Sequence, residues 1–230
     1  MKINVLHMVD GAKAATGTAV IIDVFRAFSV EAYIMARGAE KLMPVGDMQF
    51  AYDYKKAHPD CVLIGERKGI ILPGFDYGNS PYQIGDADFT GKTVVHTTSA
   101  GTQGIANAEK ATEVITASLV NAAAVARYLQ KTGVQEVSLV CMGLMAQRQT
   151  DEDNLCAAYI KSILEGQPMD LADAIENLKQ TSGAKFFDPA RQKDFPPEDF
   201  AMCTDVDKFD FILRAELGED GNRYIRRIDV

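Results

Sequence analysis

Five short blocks of this sequence carry the residue types that do chemistry, and most stand where an apolar run gives way to polar residues. In Asp23-Val24-Phe25-Arg26-Ala27-Phe28-Ser29, an acid closes an apolar stretch and a guanidinium follows three residues later. A carboxylate in that position is costly to bury without a partner or a cation. Asp23 could ligate a cation or move a proton, and Arg26 could clamp a phosphate beside a helix N-terminus; equally, the two could pair with each other. Gly65-Glu66-Arg67-Lys68-Gly69 offers Glu66 as a metal ligand and Arg67 as an anion contact, or else a solvated polar loop. In Gly74-Phe75-Asp76-Tyr77-Gly78-Asn79-Ser80-Pro81, Asn79 and Ser80 could hydrogen-bond a ligand or their own backbone. Thr97-Thr98-Ser99-Ala100-Gly101-Thr102 runs hydroxyls and a glycine into a prospective helix. Backbone N–H groups there could cradle an anion, while the plainer reading is an N-cap with spare polar residues. The Walker A spacing is missing, so a nucleoside triphosphate is not indicated. Finally, Thr150-Asp151-Glu152-Asp153-Asn154 places three carboxylates before an apolar helix. They suit either the positive helix end or a hard cation such as magnesium.

The elements that must position these blocks alternate in length. Short β-rich runs are expected at 18–23, 41–45, 61–65, 92–96, 113–116 and 137–141, and helices at about 29–37, 47–57, 101–110, 121–131, 154–164 and 171–180. Such repeated β–α units predict a three-layer α/β/α domain over 1–230, with a largely parallel or mixed sheet and functional residues at strand carboxyl ends. Residues 66–90 are rich in glycine and turn formers and are expected to cross those ends. A faint repeat lays 19–45 over 93–119 and puts Asp23 and Thr97 at comparable positions. The last third is expected to pack on the same core, with 186–200 as an excursion across the surface and 222–230 as an edge strand whose arginines discourage pairing.

Composition bounds the function. The 230 residues hold 24 Lys plus Arg against 32 Asp plus Glu, a formal charge of −8, which argues against a nucleic-acid surface. A small anionic substrate stays compatible, because a few buried arginines can reverse the local sign. The four cysteines form no CxxC pair, and the three histidines are scattered, so neither a disulfide scaffold nor a histidine-rich metal site is expected. Cys141 lacks the arginine six residues on that a cysteine phosphatase loop would use; Gln147 stands there and Arg148 follows. With no apolar run of membrane-spanning length, a soluble cytoplasmic protein is the expectation. The open sheet edges make a homodimer reasonable.

Taken in order and spacing, the five blocks closely resemble the signature segments of the 2-phosphosulfolactate phosphatase family, over about residues 18–165. The resemblance implies a magnesium-dependent hydrolase that converts 2-phospho-3-sulfolactate and water to 3-sulfolactate and phosphate, a step of coenzyme M biosynthesis in archaea that make it. It sharpens a site of Asp23, Arg26, Glu66 and Arg67 as catalytic groups and of Asn79, Ser80, Thr97, Thr98, Ser99, Gly101 and Thr102 around the substrate. Asp23, Glu66, Glu152 and Asp153 would contact magnesium. Two departures stand out: Ser99-Ala100-Gly101 replaces the family's usual Thr-Asn-Gly, and Phe28 replaces a small threonine-like residue. Two other classes fit the same blocks: a phosphatase for another small 2-hydroxyacid phosphate, and a non-catalytic protein that binds anionic metabolites.

Overall fold

The computed structural model describes residues 1–167 and 169–230. In chain order its strands are β1 (Lys2–His7), β2 (Thr18–Ile22), β3 (Lys41–Pro44), β4 (Val62–Arg67), β5 (Ile70–Ile71), β6 (Thr93–Thr97), β7 (Glu113–Ala117), β8 (Glu136–Cys141), β9 (Phe211–Leu217) and β10 (Arg223–Asp229). Its helices are α1 (Met8–Ala14), α2 (Ala27–Ala36), α3 (Met48–Ala57), α4 (Gly101–Asn107), α5 (Ala122–Thr132), α6 (Asp151–Leu164), α7 (Ala172–Leu178) and α8 (Pro197–Cys203).

Strand β2 shows why three layers form. Every one of its residues is buried, and successive side chains of a strand point to opposite faces. Ala19 and Ile21 pack with residues of α2 and with Ile105 of α4, whereas Val20 and Ile22 pack with Val125 and Leu129 of α5 and Cys156 and Ile160 of α6. A strand apolar on both faces needs helices on both sides, which gives the α/β/α sandwich.

All ten strands join one mixed sheet in the order β1-β8-β2-β7-β9-β10-β3-β6-β4-β5. The pairs β1–β8, β8–β2, β2–β7, β3–β6 and β6–β4 are parallel. The antiparallel β9–β10 pair sits between the two parallel sets and reverses the strand direction from one set to the other. The repeat seen in the sequence takes shape around it: β2-α2-β3 crosses this pair in one direction and β6-α4-β7 crosses back.

The structure corrects two expectations for the last third. The tail is not an edge strand, because β10 lies between β9 and β3. It pairs with β9 from Arg223↔Leu217 to Asp229↔Phe211, and Ile225 is buried opposite Leu42. Two of its three arginines are matched by carboxylates: Arg226 Nε lies 2.9 Å from Glu216 Oε2, and Arg227 Nη2 lies 2.8 Å from Asp229 Oδ1. The edges are β1, unforeseen in the sequence, and the short β5. Nor is 186–200 only a surface excursion. Phe186, Phe195 and Phe200 form a buried cluster with Leu178, against which Phe25 and Leu155 pack. No described helix is long and apolar enough to cross a membrane.

Candidate active site

The chain just past β2, β6 and β8 and the end of β4 converge on a cavity of about 460 Å³. Asp23 follows β2, Glu66 lies near the end of β4, Thr98 and Ser99 follow β6, and Gly143 to Met145 follow β8. The first turn of α6 adds Glu152 and Asp153, and the segment after α7 adds Thr181, Ser182, Lys185, Arg191 and Phe195.

The four carboxylates named from the sequence all line this cavity. Asp23 Oδ1 accepts from the Ala27 N–H at 3.2 Å. Burial pushes its carboxyl up to about 7, with Glu66 and Glu152 adding repulsion against the pull of Lys185. Asp153 takes the Val24 N–H on one oxygen at 2.8 Å and the Gly143 N–H on the other at 2.7 Å, so it ties α6 to the ends of β2 and β8. Burial, then Glu152 and Asp23, also push Asp153 up. Glu66 is held by Ser99 N at 2.7 Å, Gly69 N at 2.5 Å and Ser99 Oγ at 3.1 Å. Glu152 differs, since its buried Oε2 has no hydrogen-bond partner among the described residues. These acids therefore do more than cap a helix: three of them repel one another in one buried space.

A buried carboxylate oxygen with no donor among the described residues, beside an acid pushed up to about 7 by burial and then by neighbouring acids, fits a hard divalent cation. Among the described residues, no three Asp, Glu, His or Cys side chains stand as a ready-made cage for a metal ion. The fit is to an ion held by one or two carboxylates plus water and substrate oxygens, which is how magnesium is commonly bound.

Cations face these acids. Arg26, Lys68, Arg148, Lys185 and Arg191 line the same cavity. Lys185 Nζ lies 5.4 Å from the Phe25 ring centroid and 5.3 Å from that of Phe186; burial lowers its pKa, opposed by Glu152, Asp23 and Asp153. Arg26 pairs with Asp199 and not with Asp23: Nη1 donates to Asp199 Oδ2 at 2.6 Å and to Asp194 O at 2.8 Å, and Nη2 to Gly69 O at 3.2 Å. Both Arg26 and Arg191 lie over the Phe195 ring, 4.6 and 4.5 Å from its centroid. Gly69 is required here, because its φ is +83° and a Cβ would stand 2.1 Å from Phe195 Cζ.

Of the remaining residues named from the sequence, Asn79, Thr98 and Ser99 line the cavity. Arg67, Ser80, Thr97, Gly101 and Thr102 stand behind its wall. Strand alternation explains Arg67: with Glu66 turned inward, its neighbour turns away and donates to Glu66 O, Gly46 O and Thr97 Oγ1. Ser80 Oγ donates to Asp199 Oδ1 at 2.7 Å, and Thr102 bonds back to Thr98. Gly101 lets α4 approach α2, since a Cβ would meet Ala27 Cβ at 2.9 Å and Asp23 Oδ2 at 3.0 Å. Of the two departures, Ala100 lies on the cavity wall and Phe28 is buried in the core.

Sequence reasoning missed Lys185 and, within the 186–200 stretch treated as surface, Arg191, Phe195 and Asp199. The aromatic content of that stretch was the available signal: Phe186, Phe195 and Phe200 within fifteen residues need burial somewhere.

A cavity at strand ends of an α/β/α sheet, walled by carboxylates and cations, is a site for a small charged molecule. The 2-phosphosulpholactate phosphatase family model matches residues 5–217. The chain belongs to the 2-phosphosulfolactate phosphatase family, and so to a group of phosphate-ester hydrolases. It is 33% identical over 204 residues, 88% of this chain and 87% of the relative, to a Bacillus subtilis protein named "Probable 2-phosphosulfolactate phosphatase". A protein of the same name from Carboxydothermus hydrogenoformans is 40% identical over 175 residues, 75% of this chain and 72% of the relative. Another, from Thermoplasma volcanium, is 29% identical over 209 residues, 90% of this chain and 94% of the relative.

Proposed function

We propose that this chain hydrolyses 2-phospho-3-sulfolactate to 3-sulfolactate and phosphate with magnesium as cofactor. The observation that carries the reading, beside the family match, is one cavity lined by several cationic side chains and by Glu152, whose buried Oε2 has no hydrogen-bond partner among the described residues. The substrate carries phosphate, sulfonate and carboxylate groups, and a cavity lined only by acids would repel it.

Glu152 and Asp23 would hold the magnesium ion. When bound, the ion would offset charge on the phosphoryl oxygens and favour deprotonation of water. Lys185, Lys68 and Arg191 bind the anionic groups, and Arg26 uses donors left over from Asp199 for the same purpose. Glu66 fixes Ser99 and Gly69, and through Gly69 the carbonyl that Arg26 holds. Hydrolysis adds the water oxygen to phosphorus, breaks the bond from phosphorus to the C2 oxygen, and leaves that oxygen to take up a proton. Lys185, whose proton is loosened by burial, is placed to supply it. Phe25, Phe195, Leu144 and Met145 add apolar surface to the cavity wall, which limits water around the bound ester.

The test is phosphate release from 2-phospho-3-sulfolactate beside 2-phospholactate, phosphoglycolate and an aryl phosphate. Preference for the sulfonated ester supports the named substrate. Equal rates on all four would leave the phosphatase class and remove that substrate, and tight binding with no release would make this a metabolite-binding protein.

A further inference from the structure

Helix α2 is buried from Ala27 to Met35, and it carries a carboxylic acid, Glu31, with no exposed surface. Glu31 Oε1 lies 2.9 Å from Nδ1 of His96, which is also wholly buried. The other ring nitrogen, Nε2, lies 3.1 Å from Oδ1 of Asn79, a residue of the cavity wall. Glu31 Oε2 has no hydrogen-bond partner among the described residues. A polar chain thus runs from the core to the active-site cavity, and the mechanism above uses neither Glu31 nor His96.

The proton count on this pair sets which end of the Asn79 amide meets the cavity. Suppose Glu31 and His96 share one proton beyond the one a neutral imidazole carries. Whether that proton sits on the carboxyl or on the ring, Nε2 bears hydrogen and donates to Asn79 Oδ1, so the amide NH₂ faces the cavity. If the shared proton is lost, the ring hydrogen turns to Glu31, Nε2 becomes an acceptor, and Asn79 must present its oxygen to the cavity instead. That second state leaves a net negative charge with no exposed surface, which is strongly disfavoured. Burial pushes Glu31 up, in keeping with the first state.

We propose that Glu31 and His96 are positioning residues that hold one shared proton and so fix Asn79 as a hydrogen-bond donor to an oxyanion of the substrate. That the oxyanion belongs to a phosphate ester rests on the function proposed above. The consequence is specificity: next to Asn79 the cavity takes an acceptor oxygen and disfavours a donor such as an amine or a protonated acid.

The direct test reads the proton without turnover. Long-range ¹H–¹⁵N spectra of the histidine-labelled full chain at pH 7, with His96 assigned by comparison with H96Q, should show hydrogen on Nε2. A neutral ring with hydrogen on Nδ1 alone would overturn the proposal. Calorimetry with inorganic phosphate and magnesium gives the second readout, checked for folding by circular dichroism. N79D should weaken phosphate binding at least about tenfold, as expected when a donor becomes a like charge. E31Q should bind close to wild type, because a neutral amide can donate to Nδ1 and keep the hydrogen on Nε2. N79D binding as tightly as wild type, or E31Q losing as much as N79D, would also overturn it. A wild-type chain with hydrogen on Nε2 and no ester hydrolysis would sink the proposed function alone.

Discussion

Arg26 and Asp199 lie 173 positions apart in the chain and meet in a buried ion pair, with Nη1 2.6 Å from Oδ2. The pair joins the entry to α2 with the first turn of α8, and it fixes a cation of the cavity wall to the segment that closes over it. Asp199 also accepts from Ser80 Oγ and Tyr82 N, so three donors from two distant parts of the sequence depend on one carboxylate. Burial pushes that carboxyl up, while Arg26 and the two other donors pull it down.

Removing the acid leaves a buried guanidinium without its counter-charge, a loss of about 3–5 kcal/mol. D199A is therefore expected to lower unfolding stability by that order, measured by urea denaturation, and to reduce activity through a loosened Arg26. A change within the error of the wild-type curve would show that water replaces the pair at no cost.

The carboxyl cluster predicts the pH dependence of stability in metal-free protein. Asp23 keeps its proton up to about 7 in the folded chain, against 3.8 ordinarily. Between those values the folded state binds more protons than the unfolded one, so stability falls as pH rises. Glu31, Asp153 and Asp199 are pushed up too and act with the same sign. With chelator present, the melting temperature should fall from pH 4.5 to pH 7, and D23N should flatten the slope. A slope identical in D23N and wild type would contradict the assignment of Asp23.

Two cations give opposite expectations. Lys185 faces the acids inside the cavity, whereas Arg67 is engaged behind its wall. A charged hydrogen bond contributes about 1.5–3 kcal/mol, so K185M should raise KM for the phosphate ester by tenfold or more. R67A should lower the melting temperature while leaving KM little changed. The reverse pattern would move the anion contact to Arg67.

Much of the fold was legible because it rests on short-range patterns. The alternation of apolar strands and helices through 18–164 fixes local elements, and the observed ones fall close to their expected places. The position of β10 was not legible. Its three arginines look like edge protection until Glu216 and Asp229 are seen beside them, and strand order depends on partners far along the chain. In the site, Asp23 could be read from the cost of burying charge at a strand end, whereas Glu66, Glu152 and Asp153 stayed open between loop or capping roles and a cation until the family resemblance sharpened them. Arg26 could not be assigned, because its partner Asp199 lies in a segment whose aromatic residues fold inward. His96 passed as one of three scattered histidines, since only the packing of α2 against the β6 region brings Glu31 to it.

The central claim is ester hydrolysis in this cavity, and the most direct measurement is phosphate release from 2-phospho-3-sulfolactate by folded protein, with magnesium and with chelator. Steady release that requires magnesium, and that D23N and K185M each depress while remaining folded, is the predicted result. No release from this ester by folded, magnesium-loaded wild-type protein would contradict the account.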